Sequence, residues 1–299
     1  MSSNAEAGVA GTATERWILT FTSREKPGLL HAVTGVLLER EGDIVELKQF
    51  DDARSDRYFL RVEFALPAGG PEALGALRDA LAAVAADAGG DAQWSLRRGG
   101  AHQRVLLMVS KFEHCLNDLL FRSRVGEIPA DIALVVSNHP DHRELVEWHG
   151  IPFFHVPVTK DTKPEAEAKL LELMERFEVD LVVLARYMQI LSDELTLKLE
   201  GRAINIHHSF LPSFKGAKPY HQAYARGVKT VGATAHYVSG DLDEGPIIAQ
   251  QVQPVDHSFG PEDLVAAGRD TECKALADAV KWHCEGRVFL DGNRTVVLR

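Results

Sequence analysis

Cysteine is scarce in this chain: three in 299 residues. Cys115, Cys273 and Cys284 are far apart in the sequence and form no CxxC pair. An odd, sparse set argues against a disulfide framework and suits a reducing, cytoplasmic setting, where each thiol packs as a small hydrophobe. Positive charge is also in deficit, with 33 Lys and Arg against 43 Asp and Glu and a formal net charge of −10. The overall field therefore does not favour a nucleic-acid partner. No segment has the roughly eighteen uninterrupted apolar residues of a membrane span, so no membrane partner is expected. The opening "MSSNAEAGVAGTAT" lacks the basic start and apolar stretch of a signal peptide, and residues 1–14 are expected to form a disordered tail. Neither GxGxxG nor GxxxxGK[ST] occurs, which argues against a Rossmann-type cofactor or a phosphate loop. HExxH and Cys/His sets with zinc spacing are missing too, so no catalytic metal is expected.

What is present is the composition of a globular enzyme-sized protein, 45% hydrophobic and 25% charged. Residues 15–97 read as a small unit. "RWILTFTS" is strand-like, "KPGLLHAVTGVLLEREGD" shows a helical period through Leu30, Val33, Val36 and Leu37, and "DRYFLRVEFAL" alternates through Tyr58, Leu60, Val62 and Phe64. With "DIVELKQFDD", a helix from Pro71 to Gly89 and the short strand "AQWSLR", the order is βαββαβ, a ferredoxin-like sheet carrying two helices.

Residues 98–103, around Gly99-Gly100, read as a linker. Beyond it the runs "RVLLMVS", "DIALVVS" and "VDLVVLA" are apolar on both faces and rich in β-branched residues. Helical stretches near Glu113–Phe121, Pro140–His149 and Pro164–Phe177 separate them. That pattern predicts an α/β fold, a doubly wound, mainly parallel sheet covered on both sides, over residues 104–299. "RVFLDGNRTVVLR" at the end reads as a hairpin around Asp-Gly-Asn.

Ligands in such sheets bind beyond the carboxyl ends of the strands. At one such end stands "AINIHHSFLP". Alternation puts Asn205 and His207 on one side and Ile206 in the core, with Pro212 fixing the chain beyond. An amide and an imidazole together can hold a carbonyl oxygen, or can simply cap a strand. By the same alternation His208 faces away from His207, so the doublet is a poor metal site. A second cluster, "GATAHYVSGDLDEGPIIAQ", carries Asp241, Asp243 and Glu244 on a loop that Gly245-Pro246 would turn sharply, fixing a carboxylate. Asn205, His207 and Asp243 together could support water attack on a carbonyl.

The stretch from "INIHHSFLP" through "DLDEGPIIAQ" resembles the catalytic core of the formyltransferase family that handles 10-formyltetrahydrofolate. Its Asn-x-His and Leu-Asp-x-Gly-Pro elements stand as Asn205, His207 and residues 242–246. The resemblance implies Asn205, His207 and Asp243 as catalytic residues. "LARYMQILS" is similar to the segment that holds the pterin ring, implying folate contacts at Met188, Gln189 and Leu191, with Asp241 and Gly245 beside Asp243. It implies a folate substrate and no separate cofactor.

"SREKPGLLHAVTGVLLEREGDIVELKQ" resembles an ACT domain, a βαββαβ module that often pairs with its copy and binds amino-acid effectors near the turn at Gly28. A homo-oligomer, dimer or tetramer, is therefore expected. An ACT-like unit ahead of this core is similar to the hydrolytic members of the family, which implies water as acceptor and a place in one-carbon supply for purine synthesis. "SKFEHCLNDLL" stands where ribonucleotide-using members carry a glycine-containing phosphate loop. The C-terminal hairpin leaves no room for the extra domain of tRNA-formylating members. A transferase with an unrecognised acceptor and a non-catalytic folate or amino-acid sensor are the rival readings.

Overall fold

The computed structural model describes residues 14–211 and 219–299. The expectations of a disordered tail and of a turn at Pro212 lie outside the described residues, except that Thr14 already opens the first strand. The chain divides into two compact units, residues 1–101 with 298–299, and residues 102–297.

The first unit runs β1 (Thr14–Arg24), α1 (Leu29–Leu38), β2 (Asp43–Asp52), β3 (Arg57–Pro67), α2 (Gly70–Ala88), β4 (Gln93–Arg98). Its sheet is antiparallel throughout, in the order β2-β3-β1-β4. The sequence alternation is visible in the packing. Trp17, Leu19 and Phe21 of β1 and Leu60, Val62 and Phe64 of β3 meet Val33 and Leu37 of α1 and Leu77 and Leu81 of α2 in one core. Gly28 precedes α1 with a φ of 93°, a backbone that glycine adopts without strain. Arg61 is buried on β3, its guanidinium 2.5 Å from Glu46 and 3.3 Å from Glu63, so the charge is paired where water is excluded.

The second unit opens at His102; β4 pairs with β1 as far as Arg98 and β5 begins at Gln103. It comprises β5 (Gln103–Val109), α3 (His114–Arg124), β6 (Ala130–Ser137), α4 (Arg143–Trp148), β7 (Phe153–His155), α5 (Lys163–Arg176), β8 (Leu181–Leu184), α6 (Asp193–Lys198) and β9 (Ala203–His207). After the break in the described residues come α7 (Pro219–Arg226), β10 (Thr230–Tyr237), β11 (Ile247–Pro254), α8 (Pro261–Cys284) and a hairpin of β12 (Val288–Asp291) and β13 (Arg294–Val297).

The strand order β11-β10-β9-β8-β5-β6-β7 makes one seven-stranded sheet. Strands β5 to β9 are parallel, and β10 and β11 close one edge antiparallel. Along β5, Val105, Leu107 and Val109 pack with Leu116 of α3 and Leu276 and Val280 of α8. The alternate residues Leu106 and Met108 pack with Leu170 and Leu173 of α5 and Leu195 of α6 on the other face. Both faces are covered, which is why these strands lack polar alternation. The chain leaves β5 toward β6 and β7 and returns on the other side through β8 and β9. A ligand crevice is expected at that switch, outside the carboxyl ends of β5, β8 and β9. Among the described residues no helix is long and apolar enough to cross a membrane.

Candidate active site

A cavity of about 260 Å³ opens where that switch predicts. Three stretches line it: Arg186–Leu191 after β8, Asn205–His208 at the end of β9, and Val238–Asp243 between β10 and β11, with His236 from β10 itself. Asn205, His207, Asp243, Met188, Gln189, Leu191 and Asp241 all lie on its wall. Gly245 does not. It is buried behind the wall, where a side-chain carbon would collide with the carbonyl oxygen of Tyr237. The left-handed residue of the acidic loop is Asp243 itself, with a φ of 58°, so the turn is made at the carboxylate and not at the Gly-Pro pair.

The segment after β8 is held at both ends. Ser110, at the end of β5, donates its amide to Arg186 O, accepts the Met188 N–H at its hydroxyl (2.9 Å) and donates that hydroxyl to Asn138 (2.7 Å). Downstream, Glu167 accepts the Ser192 amide (2.8 Å) and the Ser192 hydroxyl, while Ser192 caps α6. Leu191 is nearly buried and packs in the α5–α6 core, whereas Met188 is half-exposed.

At the end of β9, Ile206 is buried and its neighbours Asn205 and His207 line the cavity. His207 Nδ1 lies 3.2 Å from Asp243 Oδ2. That hydrogen bond is the main reason the Asp243 carboxyl is held below its ordinary range despite partial burial. The Nε2 of His207 is buried and has no hydrogen-bond partner. A buried nitrogen left unpaired beside a cavity is a group placed for a ligand atom.

His236, unmarked in the sequence, belongs to the same group. Antiparallel pairing sets it opposite Asn205 across β9 and β10. Its Nδ1 donates to Tyr237 O (2.8 Å), which leaves Nε2 to accept from the Asn205 amide nitrogen at 3.3 Å. Burial lowers its pKa and the ring stays neutral, so this tautomer persists. Only the strand register reveals this neighbour, and register is not legible in the local sequence.

His208 corrects an expectation. Alternation would point it away from His207, yet the two rings stack with centroids 4.8 Å apart and planes at 24°. Strand β9 ends at His207, so the alternation lapses there. His208 also lines the cavity, and burial followed by the Arg186 charge pushes its pKa down to about 4.

Beside this wall lies a buried knot around Glu272 of α8. Its carboxylate takes His114 Nε2 at 2.7 Å, the Tyr220 hydroxyl at 2.8 Å and Arg186 Nε at 3.3 Å. Burial alone would raise the Glu272 pKa, but His114 and Arg186 outweigh it and the group is held low. Donor atoms of His114, Cys115 and Glu272 lie within 4.8 Å of one another, close enough to consider a metal. The donor set does not fit one. The carboxylate already has three partners, a guanidinium stands beside it, and the hydrogen bond with Cys273 plus burial push the Cys115 thiol up, away from the thiolate a metal takes. Cys115 and Cys273, far apart in sequence, are thus neighbours in the fold.

Comparison with known proteins shows the family. The Formyl transferase family model matches residues 103–280. A formyltetrahydrofolate deformylase from Corynebacterium sp. (strain P-1) is 64% identical over 95% of this chain and 98% of its own length. The crystal structure of a formyltetrahydrofolate deformylase from Burkholderia mallei superposes with a TM-score of 0.90 at 51% identity, covering 95% of this chain and 100% of that one. A glycinamide ribonucleotide transformylase from Symbiobacterium toebii reaches a TM-score of 0.62 at 32% identity over 69% of this chain and 98% of its own. With its family match spanning more than half its length and its site built on the same unit, the chain belongs to the formyl transferase family.

Proposed function

We propose that the chain hydrolyses 10-formyltetrahydrofolate to tetrahydrofolate and formate. The observation that carries the reading is the unpartnered Nε2 of His207 beside a cavity, backed by a carboxylate at Nδ1. Likeness to deformylases over nearly the whole chain, including residues before the family match, supports hydrolysis over transfer.

The chemistry follows from the three groups. Asp243, kept ionised, holds the attacking water and takes its proton as the oxygen–carbon bond forms. His207, oriented by Asp243 at Nδ1, donates Nε2–H to the developing oxyanion. The Asn205 amide, steadied through one N–H by His236, offers its other N–H to the same oxygen. When the carbon–nitrogen bond breaks, its electron pair goes to the folate nitrogen, which receives the proton from Asp243. The released formic acid ionises to formate. Met188, Gln189 and Asp241 would meet the pterin, with Leu191 packing behind them.

The first unit is read as an ACT module that pairs with its copy and takes an amino-acid effector near Gly28. Its βαββαβ order and antiparallel sheet support that reading. The sparse, free cysteines support a cytoplasmic place. Incubation with 10-formyltetrahydrofolate and no acceptor tests the reaction: free formate is expected. Turnover only on adding an amine acceptor would establish a transferase instead.

A further inference from the structure

Arg186 is an unusual residue for its position. Its backbone is left-handed, with a φ of 65°, a conformation that strains a side-chain-bearing residue. The side chain is about nine-tenths buried, lines the active-site cavity and lies with its guanidinium carbon 5.3 Å from the centre of the Phe112 ring. Among the described residues its one ionic contact is with Glu272, through Nε at 3.3 Å, and Nε makes no hydrogen bond. Glu272 is shared with His114 and Tyr220, so it neutralises Arg186 incompletely.

A guanidinium presents donors along two edges. The edge at Nε faces Glu272. The outer edge, Nη1 and Nη2, forms no hydrogen bond among the described residues. Among the described residues on the cavity wall, Arg186 alone carries a permanent positive charge, whereas Asp193, Asp241 and Asp243 carry negative ones. An anion formed in this cavity is therefore repelled from the acidic loop and drawn to Arg186. A planar two-oxygen carboxylate matches the geometry of the free fork.

We propose that Arg186 is the binding site for the formate product, holding its two oxygens through Nη1 and Nη2 after the carbon–nitrogen bond has broken. This rests on the hydrolytic reading, since hydrolysis is what makes a carboxylate here. Arg186 thereby separates product from the neighbourhood of Asp243, so that water can enter for the next cycle. The stacked rings of His207 and His208 lie on the same wall. The depressed pKa of His208, caused in part by Arg186, shows that the guanidinium's field reaches this part of the cavity.

The test is binding of ¹³C-labelled formate to the intact protein without folate, followed by NMR line broadening, for wild type, Arg186→Lys and Arg186→Gln, with folding checked by circular dichroism. Wild type is expected to bind formate in preference to chloride at equal ionic strength. Arg186→Gln should weaken binding at least about tenfold, and Arg186→Lys, which keeps the charge without the fork, by less. Product inhibition by formate should shift in parallel. Equal binding by all three, or none by wild type, overturns the site. A raised KM for the folate with formate binding unchanged also overturns it, because Arg186 would then hold the substrate's own carboxylate. If wild type releases formate from the folate but does not bind it, the site fails and the hydrolase stands. If it binds formate through Arg186 but releases none, the hydrolase fails and the anion site stands.

Discussion

His236 stands directly across the sheet from Asn205, and its Nε2 accepts the amide at 3.3 Å because its Nδ1 is committed to the Tyr237 carbonyl. The amide assigned to the oxyanion in the proposed mechanism is thus oriented by a neutral imidazole on the next strand. Replacing His236 by Leu keeps bulk and removes the acceptor. The expected result is a kcat about 10–100-fold lower with little change in the folate KM. Steady-state kinetics decide it, and an unchanged kcat would remove His236 from the machinery.

Asn205→Ala and His207→Ala should each lower kcat on the order of 10²–10³, the usual cost of one oxyanion donor, with modest change in folate affinity. Asp243→Asn should fall at least as far, since it removes the water's proton acceptor and the partner of His207 together. Near-normal formate release by purified Asp243→Asn would refute the assignment. His208→Ala should be milder, the loss arising from an unsupported His207 ring. A drop as deep as that of His207→Ala would give His208 a direct role.

Stability should fall as pH drops through the window between the ordinary histidine range and about 4. His208 is neutral in the folded protein down to about 4, while in the unfolded chain it protonates near 6.5. Between those values the unfolded state binds the extra proton, so acid favours unfolding. His208→Gln should flatten the urea midpoint across that window relative to wild type. An identical pH profile for the two proteins would mean that His208 is not shielded from water as described. Below about 4, Asp243 and Glu272, both held low by their partners, contribute further loss with the same sign.

Gly245→Ala should cost about 1–3 kcal/mol, the range for forcing an extra methyl into packed surroundings. The methyl would meet the Tyr237 carbonyl, whose neighbour His236 holds Asn205. Unfolding by urea measures the first effect. A loss of kcat exceeding the loss of folded protein would show the displacement reaching the site.

The fold was legible where burial is one-sided or complete. Alternation in "DRYFLRVEFAL" and doubly apolar runs such as "RVLLMVS" each state which faces are covered. Helix α8, the longest, carries no sharp stripe in its sequence, and only the fold shows which of its residues meet α3 and β10. In the site, residues on one strand end or one loop could be grouped by local rules, and Asn205, His207 and Asp243 do meet at one cavity. His236 and Glu272 could not be, because register and helix packing bring them in from distant sequence. His208 went astray for a different reason. A rule valid inside a strand was carried one residue past its end.

The backbone at Asp243 sits at a φ of 58°, where glycine is at ease and aspartate goes only occasionally. Asp243→Gly relieves that strain but gives up the hydrogen bond with His207 that holds the carboxylate low, so its two effects on stability oppose each other. The backbone turn of the acidic loop and the partner of His207 are thus set at one and the same residue.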